Sequence, residues 1–452
     1  MKLQHMLIAI ACSITLFFGG LAGTASADTV DVLIEQLRAK GVISEEEYQS
    51  LKSVSGYEKE KATKIDSEMQ KLKKKIKEKK KNKYPSTKME GRMMLDYRDH
   101  SPDATADLKG KPSPAIDIRR ARLGAKVKLD GNIKGEVVLD ISEDGAELDT
   151  AKMAYQLPNK MSVVFGKTKV PFSLEEMTSS RWIDFQERSI ANAYGGIGKN
   201  PSIGLVGELG DIGGFYLAYA SQETKDDQEG KITALRATAN FGTPKESVFH
   251  IGLGITQGDR AEGGVDRTYA GRGQMFFKAD DIDTASEEYE HARQGLELAV
   301  AMGSFKAQYE TITTNYSGVE ATINPGSFDK DIVTSYLNLM YMVTGEQYAK
   351  AYKTNSGTFD KIRPINKDKG AIEIGVRFAS FDGSDFDAGN GPRVTSGYTS
   401  EADSTTYGLK WIPTTNVRFL INYQVTDYET AVTSVDSEKK EKTWLTRAQF
   451  SF

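Results

Sequence analysis

Basic side chains at alternate positions are the chemistry this chain offers. After Arg119, the residues Arg120, Arg122, Lys126 and Lys128 alternate with Ala121, Leu123, Ala125, Val127 and Leu129. Side chains of an extended strand point to opposite faces with period two. The four bases therefore share one face and the apolar residues the other. The same reading sets Arg418, Asn422 and Gln424 against Val417, Phe419, Ile421, Tyr423 and Val425. It also puts Arg377 with Glu373, and both Lys410 and Arg447, on the polar faces of their strands. Lys134, Arg236 and Lys306 join this set, with Glu136, Asp140, Glu297 and Glu310 as the acids. A planar guanidinium presents two parallel donors to phosphate or carboxylate, and rings of Arg and Lys are how pores favour anions. Binding and passage of anions is the expectation.

Bond-making chemistry has little support. Beyond the N-terminal segment the histidines are His100, His250 and His291, with no metal-site spacing. Cys12 is the single cysteine and lies in the N-terminal apolar stretch, so the mature chain is expected to carry no disulfide and no thiolate site. The stretch Gly252-x-Gly254 sits in a strand with no helix after it, unlike a phosphate-binding loop. No enzyme activity, cofactor or metal is expected.

The elements that position the bases are strands. The chain ends Thr443 to Phe452, with Trp444, Thr446, Ala448, Phe450 and Phe452 on one face and Arg447, Gln449 and Ser451 on the other. An apolar, aromatic outside and a polar inside suit a transmembrane β-barrel. Met6 to Leu21 is an apolar run followed by Ala25-Ser26-Ala27, which reads as a signal peptide over 1–27. With 27% of residues charged, no later stretch is long and apolar enough to cross a membrane as a helix. The formal net charge of −4 gives no reason to expect nucleic acid as a partner.

Residues 28–85 differ from the rest. Gly41 breaks a short helical pattern, and Ser44 with Glu47 predicts a capping box for a second helix. Ala62, Ile65, Met69, Leu72 and Ile76 form a heptad seam. The lysine run 73–83 is a solvated helix end or a contact for an anionic envelope polymer. From 86 to 452 alternating segments follow one another. An even strand number, short turns at one end and long loops at the other give sixteen. The short turns are Asp130-Gly131-Asn132, Pro158-Asn159-Lys160, Gly210-Asp211, Met302-Gly303-Ser304 and Pro413-Thr414-Thr415-Asn416. Residues 258–290 become one outer loop, and 345–369 is a turn of unexplained length. The fold expected is all-β, a 16-stranded antiparallel transmembrane barrel preceded by a short helical, coiled-coil segment.

Several blocks in this order resemble the phosphate-selective porin O and P family. They are Arg119-Arg120-Ala121-Arg122-Leu123-Gly124, Gly166-Lys167-Thr168-Lys169-Val170-Pro171-Phe172-Ser173-Leu174-Glu175 and Phe185-Gln186-Glu187-Arg188. Met342-Val343-Thr344-Gly345-Glu346, Gly370-Ala371-Ile372-Glu373, Tyr407-Gly408-Leu409-Lys410-Trp411 and the C-terminal strand continue the match. The resemblance implies a trimeric sixteen-stranded porin of the outer membrane of a Gram-negative-type cell, with the helical segment in the periplasm.

Two outer loops are candidates to narrow the channel. Loop 171–201 carries Phe172, Trp182, Phe185 and Tyr194, more aromatic surface than a solvated loop needs, and long loops of this kind are usually functional or disordered. It is expected to fold inward, with Arg181, Arg188 and Lys199 lining the passage and Glu175, Glu176 and Glu187 as counter-charges. Loop 258–290 sets Arg260, Arg267, Arg272 and Lys278 among glycines, ahead of Asp280, Asp281, Asp283, Glu287 and Glu288. Three readings stay open. They are a passive channel for small anions such as phosphate, a weakly selective porin whose lumenal charges brace the wall, and a scaffold barrel acting through 28–85.

Overall fold

The structure, a computed structural model, describes residues 27–81, 84–102, 114–143, 145–223, 229–260, 263–264, 275–282, 289–322 and 324–452. The chain divides into two units, residues 1–83 and 84–452.

In the first unit α1 (Ala27–Ala39) and α2 (Glu45–Lys81) form a helical hairpin. The capping box is reciprocal. Ser44 N–H donates to Glu47 Oε2 at 2.9 Å, and Glu47 N–H donates to Ser44 Oγ at 3.3 Å. Ile34 and Tyr48 are buried between the helices, with the Arg38 guanidinium 4.4 Å from the Tyr48 ring. Ile65 and Met69 of the seam are 53% and 47% exposed. The side chains of Ala62, Leu72 and Ile76, most of the lysine run and the apolar N-terminal stretch lie outside the described residues.

The second unit is a closed barrel of sixteen strands, each antiparallel to its neighbours. In chain order they begin β1 (Ser86–Ser101), β2 (Ala115–Lys128), β3 (Ile133–Glu143), β4 (Gly145–Gln156) and β5 (Ser162–Lys169). Next come β6 (Lys199–Leu209), β7 (Gly213–Glu223), β8 (Glu229–Asn240), β9 (Ser247–Arg260), β10 (Tyr289–Met302) and β11 (Phe305–Glu320). β12 (Gly326–Met342), β13 (Ala371–Asp382), β14 (Glu401–Thr414), β15 (Val417–Val432) and β16 (Glu438–Ser451) complete the ring. β16 closes on β1, from Arg92 opposite Ser451 to Ser101 opposite Lys442. Outside, Trp444, Phe450 and Phe452 are about half exposed, whereas Arg447 and Gln449 inside are buried.

Turn chemistry fixes the short-turn end. The Asp130 carboxylate accepts from the N–H groups of Asn132 and Ile133 at 2.7 and 2.8 Å. Gly210 and Gly303 adopt positive φ of 60° and 53°, which glycine takes without strain. All five expected short turns lie at the end that carries Ser86 and Ser451, which we call the terminal end.

Two segments fold into the lumen from opposite ends. The connection 170–198 enters from the far end and includes α3 (Leu174–Met177) and α4 (Ile190–Gly195), capped by Ser173 Oγ and Ser189 Oγ. The connection 343–370 enters from the terminal end and carries a two-residue strand pair, Tyr352–Lys353 with Thr358–Phe359. They meet inside. Leu174 and Phe185 of the first pack in one apolar cluster with Tyr348, Ala349, Phe359 and Ile362 of the second. This explains the length of the 343–370 turn: it is a lumen insert. Towards the far end, Tyr194 packs in one cluster with Phe276 and Phe277 of the 261–288 connection, Phe386 of the 383–400 connection, and Phe381 and Tyr428 of the wall. The half of the lumen bounded by β9 to β16 is therefore filled.

Candidate functional site

The other half, bounded by β1 to β7, holds a cavity of about 790 Å³. Nine basic side chains line it: Arg92, Arg120, Arg122, Lys126, Lys152, Lys169, Arg181, Arg188 and Lys199. Four acids face them, Glu90, Glu136, Asp149 and Glu176. Most of the bases are matched. Arg122 Nε donates to Asp140 at 2.5 Å and its Nη1 lies 2.6 Å from Asp149. Lys126 binds Glu90 at 2.7 Å, Lys152 binds Glu136 at 3.0 Å, and Lys199 binds Asp149. Arg188 donates to the carbonyls of Glu175, Glu176 and Thr178. Three guanidiniums retain unmatched donors. The buried Nε atoms of Arg92, Arg120 and Arg181 have no hydrogen-bond partner among the described residues. Arg92 and Arg122 stand directly opposite on β1 and β2, a like-charge pairing that Asp140 and Asp149 offset.

Two β-bulges build this wall. The β1–β2 register shifts at Met94/Leu95, so Arg119 and Arg120 both turn inward. The β3–β4 register shifts at Val138/Leu139, and Asp149 and Thr150 both reach the cavity.

Charge also holds the first insert in place. Arg447 binds Asp96 of β1 through two bonds of 2.7 Å and Glu187 of the insert at 2.5 Å. Arg119 Nε donates to the same Glu187 at 2.9 Å, and Arg120 lies 3.8 Å from it. Burial alone would raise the Glu187 pKa, but the guanidiniums of Arg119, Arg447 and Arg120 hold it well below the usual carboxylate range. Arg377 donates to Glu175 at 2.6 Å and to the Glu187 carbonyl at 3.0 Å. Glu310 accepts from the N–H groups of Leu174 and Glu175 at the start of α3. Arg418 lies 4.4 Å from the Trp182 ring.

The second insert is anchored to β8 and β9. Arg236 donates to the carbonyls of Ser356 and Gly357 at 2.8 and 3.0 Å and binds Glu297 through two bonds of 2.7 Å. His250 Nδ1 lies 2.7 Å from the Tyr352 hydroxyl.

Arg120, Arg122 and Lys126, singled out by alternation, come together on the cavity with Arg181, Arg188 and Lys199, singled out in loop 171–201. Lys128 is exposed at the terminal rim. Arg377, Arg418 and Arg447 point inward but are only 2–3% exposed. The expectation that they line the passage is corrected, because the insert covers them and uses them as anchors. The side chain of Arg260, together with Arg267 and Arg272, lies outside the described residues. Arg92, Lys152 and Lys169 were missed although alternation from Met93 or Met153 carries part of the signal. Arg119 and Asp149 were hidden by the bulges.

A closed sixteen-strand barrel with polar lumen, apolar outside and inward-folded loop is the architecture of an outer-membrane porin. The chain belongs to the phosphate-selective porin O and P family, whose model matches residues 87–452. Porin O of Pseudomonas aeruginosa is 24% identical over 402 residues, covering 81% of this chain and 88% of that one. Among solved structures, a loop L8 deletion mutant of OmpT from Vibrio cholerae superposes with a TM-score of 0.52 at 12% identity, over 82% of this chain and 100% of that one. OmpF of Salmonella typhi in complex with daunomycin gives a TM-score of 0.52 at 11% identity, over 81% and 98%. These structures share the fold.

Proposed function

We propose that the protein is a passive diffusion channel for small anions, phosphate and other oxyanions among them. The observation that carries this is the excess of nine bases over four acids on one cavity, with donors of Arg92, Arg120 and Arg181 left unmatched. Several spaced bases suit conduction, since binding must attract the ion yet release it. The family's description and the name of the relative, Porin O, point the same way. The bracing role of lumenal charge belongs to the filled half, where bases and acids pair around the insert. Residues 1–27 act as a removable signal peptide in this reading, and 28–85 lie in the periplasm. Homotrimerisation draws on the family resemblance and on Ile65 and Met69, left exposed along the α2 seam. The test is the reversal potential of the refolded mature protein in a planar bilayer under a potassium chloride gradient. A potential on the anion side, with chloride current blocked by phosphate, is expected; a potential on the cation side refutes the proposal.

A further inference from the structure

We propose that the cavity is built for organic anions with an apolar body, the charged head on the arginines and the body on the wall of β4 to β7. This rests on the anion-channel reading above. Ala154, Val164, Val206 and Tyr216 line the same cavity as the bases. They are neighbours across the sheet: Ala154 stands opposite Val164, and Val206 opposite Tyr216. One apolar strip thus runs over four strands. The Tyr216 ring lies against Gly204, where a Cβ would sit 2.5 Å from it, so the ring follows the wall.

Such a strip is out of place in a water-filled lumen, whose inward positions are ordinarily polar. In the filled half, inward apolar side chains are covered. Met340 and Ile412 lie under Tyr348 and Phe359, and Ile332 and Phe381 lie with Tyr194 and Phe276. Val164, Val206 and Tyr216 belong to none of the buried apolar clusters among the described residues. They line the cavity instead, Val164 nearly buried and Val206 and Tyr216 half-buried. Arg92, Arg120 and Arg181 line the same cavity and supply the charge for the head. The volume of about 790 Å³ also falls within the range of roughly 300–1,000 Å³ typical of sites for small organic ligands. Apolar contact is non-directional, so a passenger slides along the strip without a fixed stop.

The experiment compares block of single-channel chloride current by inorganic phosphate and by phenyl phosphate, which share a head. In the unaltered protein phenyl phosphate is expected to block at roughly tenfold lower concentration, from partial burial of one ring. In Val164→Thr and Val206→Thr, near-isosteric changes that place a hydroxyl on the strip, that ratio should fall to within about twofold. Inorganic phosphate block should stay unchanged, and Tyr216→Phe, which keeps the ring, should retain the full ratio. Equal potency of the two blockers in the unaltered protein overturns the proposal, as does a ratio insensitive to both threonine variants. Cation selectivity with no block by either compound is a separate failure, of the anion reading beneath it.

Discussion

Glu187→Gln should release the constriction insert from the wall. The Glu187 carboxylate is the shared partner of Arg119 and Arg447 and lies beside Arg120. All but Arg119 of this group are at most 7% exposed. Removing one member of a buried ion cluster costs about 3–5 kcal/mol, because the charges left behind remain desolvated. Arg447 keeps its two bonds to Asp96, so the low end of that range applies. At about 1.4 kcal/mol per tenfold, the balance between docked and released insert shifts by roughly a hundredfold or more. Single-channel recording should show larger conductance and more open-channel noise. Limited trypsin digestion should cut at Arg181 or Arg188 of the insert, which the docked form protects. Restoring charge balance with Arg119→Gln in the same chain should recover part of the loss. The pH dependence follows from the depressed pKa of Glu187. A carboxyl held low in the folded state contributes its full stability above the unfolded value of about 4.3 and loses it as pH falls through the folded value. The insert should therefore stay docked between about pH 7 and pH 4 and loosen only below. Unchanged conductance, noise and cleavage in Glu187→Gln would refute the clamp, and so would loosening as the pH is raised from 4 to 7.

Arg92→Ser removes one of the guanidiniums with an unmatched donor, and an anion in the cavity should lose about 1 kcal/mol of attraction, the size of a contact at about 4 Å across water. The anion-to-cation permeability ratio should fall several-fold in bi-ionic recordings. Arg236→Gln frees the carbonyls of Ser356 and Gly357, and conductance should rise while the reversal potential keeps its sign. Gly254→Val forces a side chain against Phe172, whose ring lies 2.9 Å from where a Cβ at 254 would sit. Overpacking of this kind costs about 1–3 kcal/mol, and a lower thermal midpoint of the folded barrel on a gel-shift assay reports it. Ser44→Ala removes one half of the capping box, and amide exchange at residues 45–48 should quicken without change in the barrel.

Strand number, faces and the inward loop were legible because each is a local property. Alternation reads Arg418, Asn422 and Gln424 as inside from five neighbouring apolar residues, and Asp130 announces its own turn. The bulges were not legible. A single extra residue turns Arg119 inward beside Arg120, and nothing in Arg119-Arg120-Ala121-Arg122 marks which peptide is unpaired. A slip of one residue inverts every face beyond it. Nor does local sequence say which arginines stay open. Arg447 and Arg92 look alike as inward bases, but Arg447 finds Asp96, 351 positions away, across the closing pair of strands. Arg92 finds one serine hydroxyl at 2.8 Å. That difference is set by tertiary pairing. The insert 343–370 was illegible for the same reason, since its apolar residues acquire meaning only against Leu174 and Phe185.

The Arg447 cluster has a consequence for how the molecule is made. Asp96 belongs to the first strand, Arg447 to the last, and Glu187 to the insert, so one knot of charge ties the barrel's seam and its filter together. Until β16 meets β1, Arg447 has no Asp96 beside it, and the insert lacks one of its anchors. Completing the wall and completing the insert's anchorage are thus a single event, because the strand that closes the barrel carries Arg447.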